Sequence, residues 1–294
     1  MGCDERALVR VLTSSKYENP WVMEQLVQDY NKRFMRDLKK DIESETRGDF
    51  ETAALALVTG PLDGDVNLLQ RSLDGAGTDE DALNDIILCR SNADIKAIAA
   101  RYRIAKGRDL LSTVREDVNA DLGRLYSMAL NGTRAEPGAP VIAAEIDAKV
   151  TEFQQATEGQ VGANAIAVAH ILTACNDAQI YAIAEGYKRK YHRNLEAVIE
   201  KEFRGDMEDA LLKMLAHATD RAKSDAMRLR TPLLKTVRPD RLFIQRLLTM
   251  WWDKPRLEAA KAAYRTRYGK ALLTEAREVL SGDYEAIIMA IIGK

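Results

Sequence analysis

The chain has 294 residues, of which 46% are hydrophobic and 30% charged, so it can bury a large core in two conventional domains or in one continuous repeat array. Its 43 basic and 45 acidic residues nearly cancel, which excludes an excess of positive charge able to hold DNA, RNA or an anionic membrane unaided. No apolar run approaches the roughly 18 residues that cross a bilayer, and no secretory signal opens the chain. Cys3, Cys89 and Cys175 have neither paired nor metal-ligand spacing, so a soluble cytoplasmic protein in a reducing compartment is expected.

Taken in chain order, one pattern recurs four times. Tyr30 stands eight residues before Leu38, Tyr102 before Leu110, Tyr187 before Leu195 and Tyr264 before Leu272. Seven residues beyond each leucine come Glu45, Asp117, Glu202 and Val279; ten beyond come Gly48, Ala120, Gly205 and Gly282; twelve beyond come Phe50, Leu122, Met207 and Tyr284. The periods are 72, 85 and 77 residues, and the longest contains the turn-rich stretch from Asn131 to Pro140, the main linker. These spacings give repeats at 1–61, 62–132, 141–219 and 220–294, with a linker at 133–140.

The second unit shows the helical pattern best. Val66, Leu69 and Leu73 make one apolar stripe, Leu83, Ile86, Ile87 and Cys89 a second, and Ile95, Ile98 and Tyr102 a third. Gly107 then precedes a segment from Leu110 to Val118, and Leu122, Leu125, Met128 and Leu130 mark a fifth. Strand signals are weak throughout. Segments this short are marginal alone in water, so an all-α fold of packed short helices is expected, about five to a unit.

Chemistry concentrates between Leu73 and Glu80. Thr78 with Asp81 matches a capping box, which puts Gly75 and Gly77 just outside a helix start, where glycine allows backbone shapes that turn carbonyls outward. Calcium takes such hard oxygen donors together with a carboxylate. Asp117 lies 40 residues after Gly77, and Glu202 lies 40 residues after Gly162, so each loop is paired with an acid at a constant distance.

The second unit, with GAGTDEDAL at 75–83, CRSNADI at 89–95 and GRDLL at 107–111, closely resembles a repeat of the annexin family, and the four units together resemble the annexin core. The stretches at 138–142 and 156–159 are most similar to annexins of filamentous fungi. The resemblance implies four five-helix repeats arranged as a curved disc, with calcium loops on the convex face that touch acidic phospholipid headgroups. It implies calcium ligation by the main-chain oxygens of Leu73, Gly75 and Gly77 with the Asp117 carboxylate. In the third unit Gly159, Gln160, Gly162 and Glu202 take these places, although Ala163 and Asn164 replace the usual threonine and aspartate. In the first unit only Gly2 and Glu45 remain. The fourth unit has no glycine from Thr236 to Asp240, and Val279 replaces the acid, so no site is expected there.

Other readings of the same residues are weaker. No GxxxxGK[ST] is present, GAGTDE lacks the third glycine of a dinucleotide fingerprint, and the acids of an EF-hand loop are missing. Arg6 stands where a myristoylation signal has serine or threonine. His170, His192 and His217 lie in separate helices, Trp251 and Trp252 read as packing, and the basic run from Lys188 to Arg193 reads as a solvated helix end. No paired acid and base or activated nucleophile appears, so an enzyme is not expected. The alternative to membrane binding is a helical scaffold for protein partners, its calcium loops partly vestigial.

Only Met1 precedes the loop glycine of the first unit, so its first helix is missing. The chain therefore reads as a fragment or a shortened product in which Leu8, Val11, Leu12 and Leu26 lose cover. For the fourth unit, Val279→Glu alone is expected to create no calcium site, because the loop still lacks glycines that aim carbonyls at an ion. Calcium titration of that variant checks this, and a gained site would show the loop to be competent.

Overall fold

The computed structural model describes residues 3–74, 77–159, 161–235 and 240–293. Every regular element among them is helical, with nineteen α-helices and one 3-10 turn at Ser15–Tyr17. The fold is the all-α repeat fold expected. By contacts the chain divides into two compact units, one from Val66 to Arg221 and the other formed by the residues up to Asp65 together with those from Ala222 onward.

In the Val66–Arg221 unit the second repeat supplies most of α5 (Pro61–Leu73), then α6 (Glu80–Ile87), α7 (Asn92–Lys106), α8 (Leu110–Asp117) and α9 (Ala120–Leu130). All three early stripes read from the sequence are buried, from Val66, Leu69 and Leu73 to Ile95, Ile98 and Tyr102. The third repeat supplies α10 (Ala143–Ala156), α11 (Ala165–Ala174), α12 (Asp177–Tyr191), α13 (Leu195–Glu202) and α14 (Gly205–Thr219). A single core joins Leu83, Ile86 and Tyr126 to Phe153, Ile171, Ile183 and Leu211. The buried Tyr126 hydroxyl donates to Asn84 Oδ1 at 2.9 Å, so its polar end is satisfied within that core. At Gly186 a Cβ would lie 3.0 Å from Val150 Cγ2, so the missing side chain lets α12 pack tightly on α10.

The linker is pinned by asparagines at matching helix starts. Asn92 Nδ2 donates to the Arg134 carbonyl at 2.8 Å, and Asn176 Nδ2 donates to the Glu136 carbonyl at 2.8 Å. Asn176 Oδ1 also caps α12 by accepting from Gln179 N at 2.9 Å. A stretch without helix is thereby held on α7 and α12 through its main-chain oxygens.

The other unit contains α1 (Glu5–Leu12), α2 (Pro20–Phe34), α3 (Leu38–Glu45) and α4 (Gly48–Thr59), with α15 (Arg221–Leu233), α16 (Asp240–Trp251), α17 (Lys254–Tyr268), α18 (Leu272–Val279) and α19 (Gly282–Ile292). Leu12 is only 1% exposed, Val11 is 46% exposed, and Leu8 and Leu26 are half-buried. α4 and the apolar α19 pack on α1, and Leu12 lies in the core they share. Trp251 and Trp252 meet edge to face at 4.5 Å between ring centroids, as a packing role requires.

One buried ionic knot stands out in this unit. Asp225 is fully buried and accepts from Arg256 Nε at 2.6 Å and Nη2 at 2.8 Å, with Arg228 Nη1 at 3.4 Å. Removing one member of such a set leaves buried charge uncompensated. Asp225→Ala is therefore expected to destabilise the protein by about 3–5 kcal/mol. Urea unfolding checks this, and a loss below about 1 kcal/mol would mean the arginines find solvent instead.

Candidate metal centre

The helix that carries the acid is eight residues long in every unit: α3, α8, α13 and α18. Each begins on a buried leucine and ends on the position of interest, Glu45, Asp117, Glu202 or Val279. A helix C-terminus carries partial negative charge, so a carboxylate there is disfavoured alone and favoured beside a cation. In the first and third units a guanidinium already occupies that end. Arg47 Nη1 donates to the carbonyls of Glu43, Ser44 and Thr46, and Arg204 Nη1 to those of Glu200, Lys201 and Phe203. In the second unit the corresponding residue is Asn119, which instead caps α9 by accepting from Leu122 N at 3.0 Å.

The loop between α5 and α6 reaches Asp117. Leu73 is buried and anchors the loop's start, Asp79 N donates to the Ser72 carbonyl at 3.4 Å, and Gly77 has φ +122°. Only glycine adopts that backbone shape readily. The expected capping box at Thr78 is displaced by one residue: Asp79 Oδ1 caps α6 by accepting from Ala82 N at 3.1 Å. Thr78 is engaged elsewhere, its hydroxyl donating to Asp117 Oδ2 at 2.6 Å and lying 3.2 Å from the Asp117 carbonyl. A contact across 39 residues has replaced the local one and draws the exposed carboxylate onto the loop. Gly75 lies outside the described residues.

The loop between α10 and α11 has the same plan with other partners. Gly162 has φ +82°, Asn164 N donates to the Ala156 carbonyl at 2.7 Å, and Asn164 Oδ1 caps α11 through Ala167 N at 3.1 Å. A Cβ on Gly159 would come within 2.8 Å of Gln155 Cα, so a larger residue does not fit. Glu158 is fixed by the Tyr187 hydroxyl at 2.9 Å and by Arg193. Glu202 is half-buried and accepts from Lys201 Nζ at 2.7 Å. Val161 at the loop tip is 108% exposed, and Gln160 lies outside the described residues.

In the first unit Gly2 lies outside the described residues. Asp4 caps α1 by accepting from Ala7 N at 2.9 Å, and Glu45 is exposed. The Cys3 thiol is pushed up by burial and then by the negative charges of Glu5, Glu45 and Asp4. In the fourth unit Thr236 to Pro239 lie outside the described residues, and Val279 packs half-buried against the core.

Among the described residues no three His, Cys, Asp or Glu side chains cluster as metal ligands. A cation at these loops would therefore depend on main-chain oxygens joined to one carboxylate, a hard donor set that suits calcium. The second loop fits this demand, with an exposed glycine at φ +122°, a neutral hydroxyl on the acid and the negative end of α8. Leu73, Gly77 and Asp117 were picked out for calcium, whereas Thr78 was assigned to capping and Lys201 and Glu158 were given no part in it. The Thr78–Asp81 spacing pointed to a local cap and hid the longer reach of Thr78.

Comparison with known proteins agrees on one family. A sequence model of the annexins matches residues 1–57, 64–128 and 149–214. Annexin C1 of Cryptococcus neoformans is 30% identical over 295 residues, covering 99% of this chain and 62% of that protein. Annexin A13 of Mus musculus is also 30% identical over 295 residues, covering 99% of this chain and 90% of its own length. The chain thus spans less than two thirds of the fungal relative and most of the mouse one. In fold it matches annexin III with a TM-score of 0.94 at 23% identity, over 100% of this chain and 89% of the other. Calcium-bound annexin (Sm)1 gives 0.86 at 22% identity, over 100% of this chain and 86% of the other.

Because Asp117 is exposed and contacts the loop through one hydroxyl, Asp117→Ala is expected to leave the helical fold intact. Circular dichroism should be unchanged and stability should fall by no more than about 1 kcal/mol. A larger loss would make Asp117 a structural residue.

Proposed function

The chain belongs to the annexin family, a family of calcium- and phospholipid-binding proteins without enzymatic activity, and we propose that it attaches reversibly to acidic phospholipid membranes through calcium held at its second and third loops. The observation that carries this reading is the Thr78–Asp117 contact, which joins a glycine loop to an acid at a helix C-terminus. The ligands proposed in the second loop are the main-chain oxygens of Leu73, Gly75 and Gly77 with the Asp117 carboxylate. In the third they are Gly159, Gln160, Gly162 and Glu202. The first unit offers only Gly2 and Glu45 and contributes least.

When bound, calcium supplies positive charge and open coordination positions that a lipid phosphate can fill. The residues do the rest. Three neutral carbonyls and one carboxylate leave the bound ion with net positive charge, whereas the protein itself carries a formal net charge of −2 and has little attraction for an anionic surface. Attachment therefore follows calcium. Two loops on one body multiply two weak contacts through effective concentration. Val161, fully exposed beside Gly162, supplies a small apolar contact with the headgroup boundary. Among the described residues no helix is long and apolar enough to cross a membrane; the location proposed is the cytoplasm, with reversible peripheral attachment.

The test is pelleting with vesicles of phosphatidylserine and phosphatidylcholine. The protein is expected to pellet with calcium and to be released by a chelator. Asp117→Ala should raise the calcium needed for half-binding by about tenfold or more, since a second linked contact can contribute about 100-fold or above to the whole. Binding that ignores the chelator would reject the calcium bridge, and no binding at all would favour the protein scaffold.

A further inference from the structure

The acids that end α8 and α13 are held by different chemistry. Asp117 has a neutral partner in the Thr78 hydroxyl, and among the described residues no cation lies within ion-pair distance of it. The third unit departs from this at two positions. Ala163 stands where the second loop has Thr78, so the hydroxyl is gone. Lys201 takes over the acid: its Nζ lies 2.7 Å from Glu202 Oε1 and 3.7 Å from Glu158 Oε1. Glu158 is itself only 15% exposed and is fixed by Tyr187 and Arg193, so the ammonium sits between two carboxylates. The corresponding residues of the other units are Ser44, Glu116 and Glu278. A cation directly before the acid is thus peculiar to the third unit.

We propose that Lys201 is a tethered competitor for calcium at the third loop, so that this loop fills only at higher calcium than the second. The inference rests on the calcium-binding reading of the third loop given above. A calcium that takes the Glu202 carboxylate through both oxygens takes Oε1 from the ammonium, which must then give way. An exposed ion pair of this kind is worth about two- to fivefold in an equilibrium constant, and Lys201 is 62% exposed. The displaced ammonium stays on the same helix and repels the divalent ion further, at a distance where salt screens the effect. The two loops then respond in sequence, spreading membrane attachment over a wider range of calcium than two equal loops would.

Calorimetric calcium titration of the full chain tests this on an Asp117→Asn background, with Asp117→Asn/Glu202→Gln as the blank that isolates the third loop. Adding Lys201→Gln is expected to tighten calcium binding by about three- to fivefold at low salt, and by less than about twofold in 0.5 M potassium chloride. Lys188→Gln, which removes the same charge from the exposed side of α12, should leave binding unchanged. No gain from Lys201→Gln, or an equal gain from Lys188→Gln, would overturn the competition while leaving the third loop a calcium site. If the Asp117→Asn protein matches its blank with and without Lys201→Gln, the third loop binds no calcium, and the reading beneath the inference fails with it.

Discussion

An eight-residue helix is far shorter than the length at which a helix holds itself together in water, so α3, α8, α13 and α18 exist only while their apolar sides are pressed against neighbours. Each is fixed at its start by a buried leucine, Leu38, Leu110, Leu195 or Leu272. Seven residues on, about 10 Å along the axis, the helix stops and presents its last side chain. The position of the acid is therefore a product of core packing. Anything that loosens the leucine moves the carboxylate.

That constraint also explains what could be read from the sequence. Tyrosine eight residues before leucine marked the repeats because Tyr102, Tyr187 and Tyr264 are fully buried and tolerate little variation. The hydroxyl partners of these tyrosines were not legible. Tyr30 donates to Asp41 and Tyr264 to Glu275, each eleven residues on, but Thr113 and Val198 stand at that place in the other units and Tyr187 turns back to Glu158, so the period covers only half of them. Burial works to raise the Glu275 carboxyl, but hydrogen bonds from Arg230 and Tyr264 outweigh it and hold it below the ordinary range. Such a network is chosen by the fold, case by case.

The spacing of loop glycine and acid behind the candidate centre was legible, and one local contact was misread for a similar reason. The glycines and the acids recur at a constant distance, which survives because Gly77 and Gly162 have backbone angles closed to other residues. Thr78 obeyed a local capping rule on paper, yet its hydroxyl is drawn to Asp117 and the cap passes to Asp79. Local preference is weak beside a charged acceptor. The ends of the acid helices differ in the same unadvertised way, with Arg47 and Arg204 capping the carbonyls in two units and Asn119 turned to the next helix in another. Repeats that share a backbone plan thus carry different local fields.

The division of the chain bears on how it emerges from the ribosome. Residues 66–221 contain a complete core and can close once they are synthesised, whereas α1 and α4 pack against α16 and α19, from the last third of the chain. At about 5–20 residues per second, the roughly 230 residues between α4 and α19 take about 10–50 s to appear. During that interval the apolar faces of Leu12, Leu57 and Val58 wait without their partners. The apolar sides of α1 and α4 therefore stay open to wrong contacts until α16 and α19 follow and cover them.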